Sequence, residues 1–320
     1  MYGTSSVLCG LASCAQKASP GTGTCTIDAA IAAVGMERPI RIHTLGRFGI
    51  TIGGLALLAG RKRRQRPAGV LKALRAMGGR DIAASMLWEC LWPDADGDIG
   101  ARNLAVTLHR LRELLGSSAT LLLHDGKLSL NDRVCWVDVW CFERCVSQGL
   151  ARLEAGGDDA EAVLLLRRAF DLYGGHFLAF ESEQHWMLSA RLRLRSKFER
   201  LVSALGDRLE RRQDFSGAAD VWQRGLERDP MNELLHRRLM RGYLLMGEHS
   251  SVLRSYRRCL EAMNKGLGIQ PSIATQEIYL EAVRAISRKG AAGIGVPGDC
   301  ADPAGQRPHP GHGKPIAAGD

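Results

Sequence analysis

The sequence has no long apolar run and none of the common catalytic motifs. No stretch of about 18 apolar residues occurs, so we expect no membrane-spanning helix. The phosphate-loop pattern GxxxxGKS/T, the serine-nucleophile pattern GxSxG and the zinc pattern HExxH are all missing. GHGK at residues 311–314 lacks the strand and helix of a phosphate loop. We therefore expect neither enzymatic activity nor a cofactor; an active site of unfamiliar pattern in the second half is the alternative.

Paired cysteines are also missing. The nine cysteines contain no CxxC pair, and Cys135, Cys141 and Cys145 have no histidine nearby. The others lie near the chain ends or in helical patterns: Cys9, Cys14, Cys25, Cys90, Cys259 and Cys300. The sequence predicts no metal site, and it predicts reduced, buried thiols in a cytoplasmic protein.

Positive charge is in excess. The chain has 43 Lys and Arg against 34 Asp and Glu, a net charge of +9, which suits a polyanionic partner. The densest basic run is RKRRQR at residues 61–66, where Arg63 and Arg64 could meet phosphates. A solvated run without a partner is the alternative. A membrane-surface role is disfavoured because the run has no aromatic, apolar face.

Residues 82–115 have the pattern of two helices around a short acidic turn. The first helix has apolar residues at three- and four-residue spacing, and Pro93 ends it because proline disfavours helix at the preceding residue. After a turn at residues 93–98, the second helix has a leucine stripe: Leu104, Leu108, Leu111 and Leu115. The opposite face carries Arg102, Val106, His109, Arg110 and Glu113. This pattern is typical of a helix-turn-helix, although an ordinary amphipathic surface helix has the same stripe.

Strands and turns are predicted on both sides of this unit. Residues 40–45 and 48–52 are short β-rich runs broken by glycines, and another helix is predicted at about residues 67–77. Residues 120–124 and 127–131 are separated by Asp125-Gly126, which tolerates the positive φ of a type I′ turn. A sheet, three helices and a hairpin in this order predict a winged helix-turn-helix.

Several of these segments resemble the OmpR/PhoB-type winged helix of the antibiotic regulatory proteins, which is fused to a bacterial transcriptional activator domain. They are LGRFGITIGG at 45–54, LWPDAD at 91–96, ARNLAVTLHRLRELLG at 101–116 and VDVWCFE at 137–143. LYGGHFL at 172–178 and SYRRCLEAMNKGLGIQPS at 255–272 resemble the activator domain. The resemblance covers about residues 40–285.

The resemblance implies that the third helix enters the major groove of DNA and that the hairpin, or wing, lies against the backbone. Asn103 and Arg110 are candidates for base contacts, because Asn can pair with adenine and Arg with guanine. Arg102, Thr107 and Arg112 are candidates for phosphate contacts, although the helical phase of Arg112 is close to the leucine stripe. The remaining candidates are Val106, His109, Lys127 and Arg133, with Arg63 and Arg64 of the basic run.

The second half of the chain repeats with a period of 34 residues, the tetratricopeptide period. This period aligns Leu205 with Leu239 and Trp222 with Tyr256. Small residues stand where helices approach closely: Ala162, Ala169, Gly206, Ala218 and Gly225. We expect Trp222, Tyr243 and Tyr256 to pack in a core. A basic groove lined by Arg191, Arg193, Arg237, Arg238 and Arg241 is a possible site for an acidic partner, and a solvated helix face is the alternative.

These patterns predict an α+β domain followed by an all-α domain. We expect a disordered extension at residues 1–38, with a translation start at Met36 as an alternative, and a winged helix-turn-helix at 39–136. A tetratricopeptide-like α-solenoid would follow at 137–287, and a disordered tail at 288–320. The expected function is transcription activation through double-stranded DNA, with homodimerisation or RNA polymerase contact by the helical domain. We accordingly expect the protein to be cytoplasmic and nucleoid-associated. The alternatives are a tetratricopeptide adaptor whose winged helix binds protein, and a decayed regulator.

Overall fold

The computed structural model describes residues 38–57, 62–155 and 160–292. Most of the N-terminal extension and of the tail, which we predict to be disordered, lies outside these residues. The last described helix ends at Ala292, so it continues past residue 288, the predicted start of the tail.

Within the described residues, the N-terminal half combines two small sheets with three α-helices. In chain order the elements are β1 (Ile40–His43), β2 (Gly49–Ile52), β3 (Leu55–Ala56), α1 (Lys62–Ala76), β4 (Ile82–Ala83), α2 (Ala84–Leu91), α3 (Gly97–Leu115), β5 (Leu121–His124), β6 (Lys127–Leu130) and β7 (Cys135–Val137). A four-stranded sheet has the order β3-β2-β1-β7, in which β1 pairs antiparallel with β2 and parallel with β7. A three-stranded antiparallel sheet has the order β4-β6-β5. The order agrees with the expected one, and the assignment as an OmpR/PhoB-type winged helix stays a prediction.

Two boundaries in this half were predicted wrongly. Ile82 and Ala83 form β4 rather than the start of α2, because they pair with Leu128 and Lys127 of the hairpin. Helix α1 begins at Lys62 instead of near Pro67, so part of the basic run is helical. The φ of proline suits a helix, and its missing N–H removes one backbone hydrogen bond.

The core of this half is built on the leucine stripe of α3. Leu104, Leu108, Leu111 and Leu115 are all buried, as predicted. They belong to one apolar cluster with residues of the sheets and of the other two helices, among them Ile40, Ile42, Leu71, Leu74, Leu87, Leu128 and Leu130. Burial of this stripe fixes which face of α3 remains in contact with solvent.

The C-terminal half is a succession of helices, each packed against the next. They are α4 (Asp138–Glu154), α5 (Ala160–Leu172), α6 (His185–Arg211), α7 (Phe215–Arg228), α8 (Glu233–Leu245), α9 (His249–Leu267) and α10 (Ile273–Ala292). Trp222 is fully buried, as predicted, and lies so close to Gly206 that a Cβ at residue 206 would overlap the indole ring. This close approach explains the glycine; the tetratricopeptide-like solenoid itself stays a prediction.

The two halves are joined by a buried carboxylate. Asp138, the first residue of α4, accepts hydrogen bonds from the Thr44 N–H (2.5 Å), the Thr44 hydroxyl (2.9 Å) and the Leu45 N–H (2.7 Å). Beside it, the Leu178 N–H donates to the Thr44 carbonyl at 2.9 Å, and Leu45 and Phe177 form a β-bridge. The position of the N-terminal half is therefore tied to the first helices of the C-terminal half.

Among the helices described, none combines the length and apolarity needed to cross a lipid bilayer.

Candidate nucleic-acid interface

A glycine shapes each end of helix α3, through a close approach at Gly100 and a left-handed conformation at Gly116. Gly100 lies against Trp88 of α2, and a Cβ there would stand 2.7 Å from the indole Cδ1, so a larger residue would push α3 away from α2. Gly116 has a φ of +70°, and its N–H bonds the carbonyls of Arg112 and Glu113. This left-handed end satisfies carbonyls of the last turn and directs the chain towards the hairpin.

The face of α3 opposite the leucine stripe is exposed. It presents Arg102, Val106, His109 and Arg110, and Val106 is 47% exposed despite its apolar side chain. Within the three described ranges, neither Arg102 nor Arg110 forms an ion pair. His109 lies 3.3 Å from Glu113, one turn further along the helix. The exposed face thus combines available guanidinium groups with an apolar residue.

Thr107 was predicted wrongly as a surface contact. It is 5% exposed, and its hydroxyl donates to the Asn103 carbonyl at 2.6 Å. Thr107 follows Leu104 by three residues and precedes Leu111 by four, so its helical phase places it on the buried stripe. Asn103 itself is half-buried, at the edge of the exposed face.

Arg112 connects α3 to the hairpin. Its Nη2 donates to the Leu121 carbonyl at 3.2 Å, so this side chain fixes the first residue of β5 relative to the end of α3. At the far end of the hairpin, Asp125 and Gly126 have φ of 47° and 70°, which confirms the predicted positive-φ turn. The role of Arg112 in the fold differs from the phosphate contact expected for it. The sequence indicated a structural role for Arg112, because the helical phase of this residue is close to that of the leucine stripe.

The two predicted wing cations lie at opposite ends of the hairpin. Lys127 is exposed and begins β6 directly after the turn, opposite His124. Arg133 is exposed three residues after β6 ends, and its N–H donates to Asn131 Oδ1 at 3.0 Å. Lys127 is therefore at the hairpin tip, and Arg133 is at its base. Arg63 and Arg64 belong to the start of α1, and their side chains lie outside the described part of the structure.

Three exposed carboxylates surround the start of α3: Asp94, Asp96 and Asp98. Negative side chains at a helix N-terminus interact favourably with its dipole, but they repel phosphate from that end. An approaching polyanion would meet attractive charge first at Arg102 and then, two turns further along, at Arg110.

The basic groove proposed for the helical half is largely neutralised. Arg191 Nη1 is 3.1 Å from Glu183 Oε2, Arg193 Nε is 3.4 Å from Glu143 Oε1, and Arg238 Nη1 is 3.1 Å from Asp207 Oδ1. Arg237 donates to the Ser272 hydroxyl at 3.4 Å, whereas Arg241 is exposed. Because internal carboxylates neutralise three of these five charges, the structure favours the alternative of a solvated helix face over a site for an acidic partner.

Burial disfavours the thiolate form of the described cysteines. Burial raises the pKa of Cys90 to about 11 and the pKa of Cys135 and Cys259 to about 12. These three side chains are therefore protonated near neutral pH and pack as small apolar groups.

The helical half matches a known protein family. Residues 137–283 match the bacterial transcriptional activator domain family. The match indicates a transcriptional activator. This activator domain begins at Val137, one residue before the Asp138 carboxylate that joins the two halves. No curated protein matches the chain in sequence.

A solved structure with a similar fold is that of Mycobacterium tuberculosis EmbR in complex with a low affinity phosphopeptide. It is 21% identical in sequence, with a TM-score of 0.56 over 80% of this chain and 70% of the EmbR chain. The likeness extends beyond the activator domain and includes part of the N-terminal half. It establishes a similar fold.

Proposed function

We propose that the protein is a sequence-specific DNA-binding regulator of transcription, with residues 39–136 as a winged helix-turn-helix whose α3 enters the major groove. The observation that carries the proposal is the division of α3 into a buried leucine stripe and an exposed face with Arg102 and Arg110. A helix about 10–12 Å across fits a major groove about 12 Å wide.

The exposed side chains suit different parts of DNA. Arg110 is the candidate for bidentate pairing with guanine, and Val106 is suited to contact a thymine methyl group. Arg102 and Lys127 are candidates for phosphate contacts, which set the register without reading sequence. Arg112 positions the hairpin through the Leu121 carbonyl. Asn103, half-buried, would reach a base edge only at the margin of this face.

The activator domain would act through other proteins. We propose that residues 137–287 stack as a tetratricopeptide-like unit that supports self-association or contact with RNA polymerase. The Asp138 junction supports this arrangement, because a firmly joined helical half would keep a defined orientation relative to bound DNA.

Selection of bound fragments from sheared genomic DNA tests the proposal. The full chain is compared with Arg102→Ala/Arg110→Ala and with Arg257→Ala/Arg258→Ala, which removes two exposed arginines from α9 and changes the net charge equally. We expect the full chain and the control variant to enrich the same sequences and the α3 variant to enrich none.

The alternative is an adaptor in which the same unit binds protein. The observation that favours it is the acidic turn, where Asp94, Asp96 and Asp98 lie beside Ile99, which is 48% exposed. Absence of enriched sequences with any of the three proteins would reject the DNA-binding proposal in favour of this adaptor.

A further inference from the structure

The last described helix, α10, has an outer face that no other described element covers. Its inner face packs against α8 and α9 through residues at three- and four-residue spacing: Thr275, Ile278 and Ala282. On the outer face, Ile273 is 75% exposed and Leu280 is 46% exposed. Terminal helices of stacked helical proteins usually have a polar outer face. Exposed apolar residues at this position are typical of a helix that packs against a partner.

Four exposed charged residues border these apolar side chains along one side of α10. In chain order they are Glu277, Glu281, Arg284 and Arg288, at intervals of four, three and four residues. This spacing places them in one strip along the helix, because successive turns bring such positions onto the same face. Within the described ranges, none of the four forms an ion pair. The strip therefore has two negative charges followed by two positive charges.

This order of charges is unfavourable within one chain. Glu277 and Glu281 lie one turn apart, and so do Arg284 and Arg288. Like charges at positions i and i+4 destabilise a helix. A partner that presents the opposite order of charges would offset both repulsions.

We propose that the outer face of α10 binds a second copy of the chain, with the two α10 helices antiparallel about a two-fold axis beside Val283. This orientation places Glu277 opposite Arg288 of the other copy. It also places Glu281 opposite Arg284, and the two-fold axis repeats both pairs. A parallel pair in register would place like charges together. Because the strip is complementary to its own reversed copy, it favours a second copy of the chain over an unrelated partner.

The contact would be small, and the dimer correspondingly weak. The charged strip is about 18 Å long, and Leu280 and the half-buried Val283 would form its apolar centre. A helix face of this length buries less than the roughly 1,600 Å² of a standard interface, so we expect a Kd on the order of 10 µM. The dimer rests on the self-association proposed above for the activator domain, and it does not require DNA binding.

Sedimentation equilibrium of the full chain without DNA tests the dimer by charge reversal. Glu277→Arg/Glu281→Arg makes the strip wholly positive, and Arg284→Glu/Arg288→Glu makes it wholly negative. We expect self-association of each double variant to be at least about tenfold weaker than that of the unmodified chain. An equimolar mixture of the two should form heterodimers, because a positive strip then faces a negative one.

Two further variants separate charge complementarity from changes in net charge or folding. The quadruple variant with both reversals restores a complementary strip and should dimerise like the unmodified chain. The control Arg257→Glu/Arg258→Glu lowers the net charge as much as Arg284→Glu/Arg288→Glu does, and it should leave self-association unchanged.

Four outcomes would each overturn the proposal. They are a monomeric unmodified chain at all concentrations, a dimer that neither double variant weakens, a quadruple variant that stays monomeric, and equal weakening by the control. A monomeric chain that still enriches DNA sequences in the fragment selection would reject the dimer and leave the DNA-binding proposal intact.

Discussion

Arginines on α3 and on α6 differ in what they contact. In the described structure, Arg102 and Arg110 of α3 are exposed without an ion pair, whereas Arg191, Arg193 and Arg195 of α6 each face a carboxylate. Charge that is neutralised within the fold contributes to stability, while charge left in solvent is available to a partner. The net positive charge of a chain therefore does not show which surface binds a polyanion; the pairing of each side chain gives that information.

The junction between the halves should show the largest effect on stability. Asp138→Ala leaves the buried N–H groups of Thr44 and Leu45 without their acceptor. We expect the free energy of unfolding to fall by about 3 kcal/mol in urea denaturation. Asp132→Ala is the control, because its ion pair with Arg80 is exposed and should contribute less than about 1 kcal/mol. Equal losses in the two variants would contradict the role of Asp138 at the junction.

Removal of a paired arginine should affect stability and not DNA binding. Arg195 Nε is 2.7 Å from Asp229 Oδ2, and the Asp229 side chain is fully buried. We expect Arg195→Ala to lower the free energy of unfolding by about 2 kcal/mol. This loss is smaller than that expected for a fully buried ion pair, because the arginine is partly exposed. Affinity for a selected DNA site, measured by fluorescence anisotropy, should not change. A loss of affinity in the folded variant would remove the distinction between α3 and α6.

The same pair predicts a dependence on pH. Burial alone would raise the pKa of Asp229, but hydrogen bonds and charge from His176 and Arg195 lower it below its ordinary value of 3.8. Because the pKa is lower in the folded state, this group stabilises the fold above pH 3.8, and its contribution is lost as the pH falls further. Urea denaturation below pH 5 should show a shallower decline of stability for Arg195→Ala than for the unmodified chain. Parallel declines would contradict this account of Asp229.

Removal of Arg110, which is exposed without an ion pair in the described structure, should weaken DNA binding and leave stability nearly unchanged. We expect Arg110→Ala to weaken binding to a selected site by about 1–3 kcal/mol and to relax the preference at one base position. Its free energy of unfolding should stay within about 0.5 kcal/mol, since the side chain is exposed. Anisotropy titrations on the selected site and on a scrambled duplex measure the affinity and its dependence on sequence, and urea denaturation measures the free energy of unfolding. Unchanged affinity would remove Arg110 from the candidate reading residues.

Local pattern predicted those parts of the fold that depend on near neighbours in sequence. The spacing of the leucines fixed the buried face of α3, and Asp125-Gly126 fixed the hairpin turn. The same spacing indicates that Thr107 is buried, because a side chain on a leucine stripe lies in the core whatever its polarity. The family resemblance implied a surface contact at this position instead.

Parts of the fold that depend on distant partners were not predicted. Strand β4 exists because Ile82 pairs with Leu128, and a run of two residues has no periodicity of its own. The Asp138 junction joins residues 94 positions apart in sequence. Neither composition nor spacing contains this information.

The most direct test of the account is the salt dependence of DNA affinity. Affinity for a selected site is measured against salt concentration for the full chain, for Arg102→Ala/Arg110→Ala and for the control Arg257→Ala/Arg258→Ala. We predict steep salt dependence for the full chain and the control, and for the α3 variant weaker binding with a slope smaller by about one or more. The same affinity and slope in the two double variants would contradict the claim that the exposed face of α3 binds DNA.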